Sequence, residues 1–375
     1  MSTDEFEARL EAFRGDLPAV RPNARTVAAA LDTPDCRRRR ILEAASVDKS
    51  ELARHLGHPI PAAQSPFALR RGNLFESAVK ENGDAHLIAE LRKQIDLPIP
   101  ATRHKDLSSS RARTKGLKEM KLRAKETQAA LSLLLSEDPY APNVLDHAVT
   151  SLEVGGSTVY LEQDALAHYT GNKLYVVEIK SFPVINNQVD PVKLRPATRQ
   201  AAVYILSLQQ TLARMGHSPE RVATDAVLIC PRNYDLTPTS ATLDTRQELR
   251  GLKRQLDRAA SVSELEALLP QGLTLSAADT EHCAEAVEQL PNAYRPACLD
   301  SGCELAYYCR SRARDAGETV ALGTPVRQAF GPVDMIDDVL AMADSGIAPS
   351  RYERDLAADL VHMQKLYRAA GGGAA

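Results

Sequence analysis

Asp164, Glu178 and Lys180 are the residues whose types and spacing point most directly to chemistry. Residues 157–169 (STVYLEQDALAHY) and 173–180 (KLYVVEIK) are rich in β-branched and aromatic residues. They flank Thr170-Gly171-Asn172, which predicts a β-hairpin. With that loop Tyr169 faces Lys173, and Asp164 faces Glu178 with Cβ atoms roughly 5 Å apart. Lys180 follows Glu178 by two residues and points to the same face. Two carboxylates held this close repel unless a cation lies between them, and their oxygens suit Mg2+ or Mn2+. A neighbouring lysine can stabilise charge at a reacting phosphate or position an attacking water. The chemistry indicated is metal-assisted phosphodiester hydrolysis. The competing reading of Glu178 and Lys180 is an ordinary surface ion pair. The apolar run around them, VVEIKSF, weakens it, because burying either charge without a partner is costly.

The elements that must position these groups follow from punctuation and periodicity. Residues 65–83 (SPFALRRGNLFESAVKENG) read as a helix started by Pro66 and stopped at Asn82-Gly83. A second helix is expected from about 116 to 136, stopped by Pro139, and a third over 196–215, between Pro196 and Gly216. AVLIC (226–230) reads as a buried strand. The pattern over 244–290 is helical, and a last helix over about 348–369 gives way to GGGAA. Between 101 and 126 nine basic residues, among them Arg111, Arg113, Lys115, Lys118 and Lys121, meet three acidic ones, a local balance of +6. Such a run reads equally as a solvated helix face or as a phosphate-binding one.

Asp164 followed by Glu178-Ile179-Lys180 resembles the D…(D/E)xK signature of the PD-(D/E)XK nuclease superfamily. Gln200-Ala-Ala-Val-Tyr204 is similar to the QxxxY motif of its RecB-like branch, and Gln200 and Tyr204 share one helical face. Upstream, Arg71-Gly72-Asn-Leu-Phe-Glu76 looks like that branch's first motif, with Glu76 where many members carry a histidine. Gln163 replaces the nominal proline before the aspartate. The resemblance implies an α/β fold with a restriction-endonuclease-like core, a central mixed β-sheet flanked by helices. It implies that Asp164, Glu178, Glu76 and the Ile179 backbone carbonyl hold Mg2+ or Mn2+. Lys180 would aid the attacking water, and Gln200 and Tyr204 would contact substrate or position Lys180. Arg71 and the basic run would bind DNA.

Of the six cysteines, Cys36 stands near the N-terminus, while Cys298, Cys303 and Cys309 cluster near the C-terminus. That arrangement resembles the iron–sulfur staple of AddB-type and CRISPR-associated RecB-like exonucleases, in which a [4Fe-4S] cluster ties the chain ends together. Zn2+ is the alternative for four thiolates. The gap of four residues between Cys298 and Cys303 is wider than the family's usual two. Cys230 and Cys283 read as core residues. Lone histidines (His86, His104, His147, His168, His217) show no pairing that indicates a metal triad.

The expected organisation is an N-terminal helical segment (1–64), a nuclease core (65–82 and 157–235), and a helical, partly basic insertion (83–156). A helical C-terminal region (236–369) and a disordered tail (370–375) follow. With 375 residues, 44% hydrophobic, the chain can bury sizeable cores, and its net charge of −3 excludes a uniformly basic nucleic-acid binder. It has no apolar run long enough to span a bilayer. The acidic start MSTDEFEARL lacks the basic and apolar regions of a signal peptide, so a soluble, cytoplasmic protein is expected. No Walker-type loop, GxSxG or HExxH is present, which removes the main support for ATPase, serine hydrolase and zincin readings. The function indicated is a Mg2+/Mn2+-dependent deoxyribonuclease, exonuclease rather than endonuclease, in DNA repair or antiviral defence. Its partners would be single-stranded or end-containing duplex DNA and a helicase, integrase or defence-complex protein. The alternative is an inactive nucleic-acid-binding or assembly subunit on the same fold.

Overall fold

A computed structural model gives the structure of the chain. It describes residues 3–20, 22–33, 35–60, 66–95, 103–108, 117–136, 138, 140–154, 157–169, 173–233, 235–258, 261–292 and 294–370. Four helices come first: α1 (Thr3–Arg14), α2 (Ala24–Asp32), α3 (Arg37–Ala44) and α4 (Lys49–His55). Then follow α5 (Pro66–Val79), α6 (Glu81–Gln94), β1 (His104–Asp106), α7 (Leu117–Leu135), β2 (Val144–Asp146), β3 (Val149–Val154) and β4 (Ser157–Glu162). β5 (Ala165–Tyr169), β6 (Lys173–Ile179), α8 (Pro191–Arg214), β7 (Asp225–Pro231) and β8 (Pro238–Asp244) complete the strands. The remainder is helical: α9 (Arg246–Leu256), α10 (Val262–Leu268), α11 (Thr280–Glu288), α12 (Ala297–Asp300), α13 (Ala306–Asp315), α14 (Thr324–Ala329), α15 (Ile336–Ser345) and α16 (Arg354–Ala369).

The chain divides into two compact units. The first comprises Met1–Arg14, Ala19–Val47 and Pro61–Leu273, and the second Gly15–Pro18, Asp48–Ile60 and Thr274–Ala375. The first unit holds a six-stranded mixed sheet in the order β1-β2-β5-β6-β7-β8 and a separate ribbon, β3-β4. The pairs β1/β2 and β6/β7 are parallel, and β2/β5, β5/β6 and β7/β8 are antiparallel. Side-chain alternation splits the sheet between two cores. Ala165, Ala167, Val177, Ile179, Val227 and Ile229 pack with Phe75 and Val79 of α5 and Leu87 and Leu91 of α6. Leu166, Leu174, Val176, Ala226 and Leu228 pack with Ala201, Ile205 and Leu208 of α8. A central mixed sheet with helices on both faces is the expected fold class, compatible with a restriction-endonuclease-like core.

Three local expectations are corrected. The 83–156 segment is not purely helical: it supplies β1 and β2 to the main sheet and β3 to the ribbon. Residues 157–169 are two strands rather than one. Gln163 remains tied to the ribbon, its amide donating to the Ala148 carbonyl (2.9 Å) and its Nε2 to Thr150 Oγ1 (2.7 Å). After it the chain turns into the main sheet, so Asp164 stands at the switch between sheets. Helix α8 begins five residues before Pro196, capped by Asp190, whose carboxylate accepts from the Val192 amide (3.0 Å). In addition, β8 precedes the helices of the 236–369 region.

The stop at Asn82-Gly83 takes a specific form. Asn82, Gly83 and Asp84 adopt left-handed φ of 54°, 67° and 61°, which kinks the chain inside the first turn of α6. Asn, Gly and Asp tolerate this region best. The kink turns Asp84 inward, where it is buried.

In the second unit, Val333, Val339, Met342 and Ala357 form a small core that includes α15 and α16. Among the described residues no helix is long and apolar enough to cross a membrane. The hairpin tip 170–172, Pro139 and the tail 371–375 lie outside the described residues.

Candidate active site

The ladder between β5 and β6 runs from Tyr169↔Lys173 to Ala165↔Val177, the register that the spacing predicts. One further step places Asp164 opposite Glu178. By alternation Glu178 belongs with Leu174 and Val176, on the face covered by α8. Glu178 is fully buried, Lys180 Nζ pairs with its Oε1, and neither carboxylate oxygen meets a hydrogen-bond donor in good geometry. Asp164 Oδ2 accepts from the Ile179 amide at 2.7 Å. It is thus the amide of Ile179, in the residue expected to offer its carbonyl, that meets the aspartate.

Electrostatics reflect this crowding. Burial pushes Glu178 up to about 8, with Lys180 opposing the rise and Asp164 adding to it. Burial also raises Asp164, against Lys180 and the Ile179 amide. Burial disfavours a charged Lys180, but Glu178 and Asp164 outweigh it and raise its pKa. Across from the strand, the Tyr204 hydroxyl accepts from Gln200 Nε2 at 3.1 Å. Burial first, and then the charges of Glu178 and Asp164, push Tyr204 well above 10. The structure therefore brings Asp164, Glu178, Lys180, Gln200 and Tyr204 together.

Glu76 is placed differently. It lies on α5, its side chain 37% exposed, and its Oε1 accepts from Lys80 Nζ at 2.7 Å. Lys80 Nζ also lies 3.1 Å from Asp146 Oδ1, 3.0 Å from His147 Nε2 and 3.5 Å from the Asp164 carbonyl oxygen. His147 Nδ1 lies 3.0 Å from Glu162 Oε1, whose partner oxygen accepts from Arg123 Nη1 at 2.8 Å. Nδ1 donating to Glu162 leaves Nε2 as acceptor for the Lys80 ammonium. Arg123 further donates to the carbonyls of Leu107 (3.1 Å) and His147 (2.8 Å). Burial works against ionisation of Glu162, but His147 and Arg123 bring it down to about 2. Asp164 thus joins two charge clusters, its side chain in one and its carbonyl in the other.

Asp146, His147 and Lys80 were not singled out by the sequence, and the reading of His104 and His147 as unpaired is corrected. Ligand atoms of Asp84, His104 and Asp146, and of Asp106, Asp146 and His147, lie within 4.8 Å of one another in each group. The first of these acidic clusters can hold a divalent ion. His104 Nε2 stands 2.9 Å from Asp84 Oδ2 there. The available signal was Asp146-His147 directly after the apolar pair Val144-Leu145, a polar pair at a strand end.

Among the expected DNA contacts, Lys118 and Lys121 are exposed on α7, whereas Arg123 on the same helix is buried. Arg71 is half-buried, with Nη2 enclosed and without a hydrogen-bond partner. Arg111, Arg113 and Lys115 lie outside the described residues. None of the six cysteines forms a disulfide. Cys298 on α12 and Cys309 on α13 are buried, Cys303 between them is half-buried, and the Cys303 amide donates to the Cys298 carbonyl (2.9 Å). Both Cys298 and Cys309 act electrostatically on Tyr294. Cys36 precedes α3 in the first unit. Cys230 and Cys283 are buried, as read.

No known family profile matches the chain, and no curated protein matches it. Among solved structures, a candidate exonuclease from Eubacterium rectale is similar, at 12% identity over 68% of this chain and 82% of its own, with a TM-score of 0.30. Another, SSO0001, is 12% identical over 56% of this chain and 82% of its own, with a TM-score of 0.19.

Proposed function

We propose that the chain is a divalent-metal-dependent nuclease that hydrolyses phosphodiester bonds in DNA. The observation that carries the reading is the Asp164–Glu178–Lys180 group. A glutamate with no exposure, met by a single ammonium at Oε1 and by no donor at Oε2, is a costly thing to bury. A hard dication beside it supplies the missing partner, so the donor set fits Mg2+ or Mn2+. Asp164 and Glu178 would hold the ion, and the ion would polarise the scissile phosphate and favour ionisation of a bound water.

The chain's own residues do the rest. Asp164 is oriented by the Ile179 amide, which leaves its second oxygen for the ion. Lys180 stays charged beside Glu178 and offers an ammonium to charge developing on the phosphate. Tyr204, held protonated and bonded to Gln200, presents a neutral hydroxyl next to the carboxylates. The exposed lysines of α7 supply phosphate-binding charge. Exonuclease action, in repair or antiviral defence, is the setting that the motif resemblance favours.

The cysteines belong to the same reading. Cys298, Cys303 and Cys309 are thiols carried by two short helices and the turn between them, ligand types that suit iron–sulfur or zinc. The motif resemblance, which alone adds Cys36 as a fourth ligand, favours a [4Fe-4S] cluster.

The test is cleavage of end-labelled linear and circular DNA with Mg2+ or Mn2+, by the wild-type chain and by Lys180→Ala. Metal-dependent cleavage that Lys180→Ala loses is expected. Cleavage in EDTA, or equal activity in the variant, overturns the proposal.

A further inference from the structure

Beside the proposed centre lies a charge that the mechanism above does not use. Lys80 Nζ is surrounded as a bound cation would be, by Glu76 Oε1 at 2.7 Å, His147 Nε2 at 3.0 Å, Asp146 Oδ1 at 3.1 Å and the Asp164 carbonyl at 3.5 Å. Its side chain is only 13% exposed, and that of Asp146 5%. Two carboxylates, an imidazole and a carbonyl are a donor set that hard divalent cations accept.

We infer that the Lys80 ammonium is a built-in cation that fills a second divalent-ion position behind Asp164, so that the nuclease works with one metal ion. The inference rests on the proposed function and deepens it. Hydrolytic sites with two ions use the second to neutralise carboxylates and orient the reacting groups. Here a covalently attached charge does this at any metal concentration. It neutralises Asp146, and it holds Glu76 by a side chain four residues along the same chain. Glu76 Oε1 is thus engaged by Lys80 as its counter-ion. The Lys80 bond to the Asp164 carbonyl makes the lysine a positioning residue, since it fixes the backbone that carries the metal-binding carboxylate.

His147 Nε2 is available to Lys80 because Nδ1 is engaged by Glu162, and Glu162 is in turn held by Arg123. The cage is thus built from outside inward: Arg123 fixes Glu162, Glu162 fixes the ring, and the ring fixes the ammonium. Removing the ammonium leaves four donors converged on a vacant centre.

The experiment counts Mn2+ bound per chain by electron paramagnetic resonance and calorimetry. All counts are made in a His104→Ala/Asp106→Ala background, which takes one ligand from each of the Asp84–His104–Asp146 and Asp106–Asp146–His147 clusters. One ion is expected with Lys80 present and two in both Lys80→Ala and Lys80→Gln, the latter retaining most of the side-chain volume. Adding His147→Ala to either should return the count to one. Two ions with Lys80 present, or one in both folded Lys80 variants, overturns the inference. No ion with Lys80 present but one in its absence refutes the Asp164–Glu178 metal centre and retains the role of Lys80. No ion in any variant refutes both. Circular dichroism melts confirm which variants are folded.

Discussion

Lys180 is paired with a Glu178 carboxylate that has no solvent exposure, so the two charges depend on each other and on whatever else enters the site. Burial raises Glu178 from 4.5 to about 8. Between those two values the folded chain holds a proton that the unfolded chain releases, and stability therefore falls as pH rises. Asp164 and His147, both raised, act in the same sense. Glu162, lowered to about 2, contributes stability that is lost only as pH falls below 4.5. In EDTA the melting temperature should drop by about 5 °C or more from pH 5 to pH 8. Glu178→Gln should remove much of the drop, and saturating Mg2+ should reverse it at pH 8 in the wild type alone. Calorimetry over that range is the check. A wild-type melting temperature that rises with pH in EDTA would sink the account.

How far the site was legible follows from how local each signal is. Asp164, Glu178 and Lys180 could be placed together because the hairpin loop sets the register, and a period of two sets the face. Gln200 and Tyr204 were readable as i and i+4. Lys80, Asp146 and His147 were not, since Lys80 is far from the other two in sequence and β2 has three residues, too few to show alternation. The same shortness hid β1 and β2 inside a segment dominated by the 19-residue α7. The break at Gln163 was invisible for a different reason. Both ribbon and main sheet use the same alternating pattern, and only hydrogen bonding separates them.

The exposed basic residues of α7 make a prediction independent of the catalytic group. Lys118 and Lys121 are solvent-facing, so Lys118→Ala/Lys121→Ala should leave the melting temperature unchanged. If they contact phosphates, DNA affinity should weaken and the slope of log K against log salt should fall by about 2. Fluorescence anisotropy at four or five salt concentrations measures this. An unchanged slope would return the run to the solvated-face reading.

Arg123 sits on the same helix but does the opposite work. Its guanidinium reaches Glu162 and the carbonyls of Leu107 and His147, tying α7 to the segments after β1 and β2. Arg123→Met should cost about 2 kcal/mol, because two buried carbonyls lose their donor and Glu162 its cation. Lys125→Ala, an exposed change on the same helix, should stay within about 0.5 kcal/mol. Urea denaturation of both variants decides it. Equal stability would mean that water replaces the guanidinium at these carbonyls.

The cysteines separate by environment, and so should their variants. Cys283 is a buried thiol whose pKa burial raises, which keeps it protonated and poor as a ligand. Cys298, Cys303 and Cys309 instead lie within twelve residues of one another, on α12, α13 and the turn that joins them. Anaerobically purified wild-type protein should carry broad visible absorption, with iron and acid-labile sulfide in equal amounts. Cys303→Ser should lose the colour, while Cys283→Ser keeps it. Cys36→Ser is the decisive variant, since it alone tests whether the N-terminal thiol completes the set. Colour retained in Cys36→Ser at wild-type iron content would remove that residue from the cluster. A colourless wild type with bound zinc would replace iron–sulfur by a tetrahedral zinc site, whose loss on chelation should lower the melting temperature of the second unit.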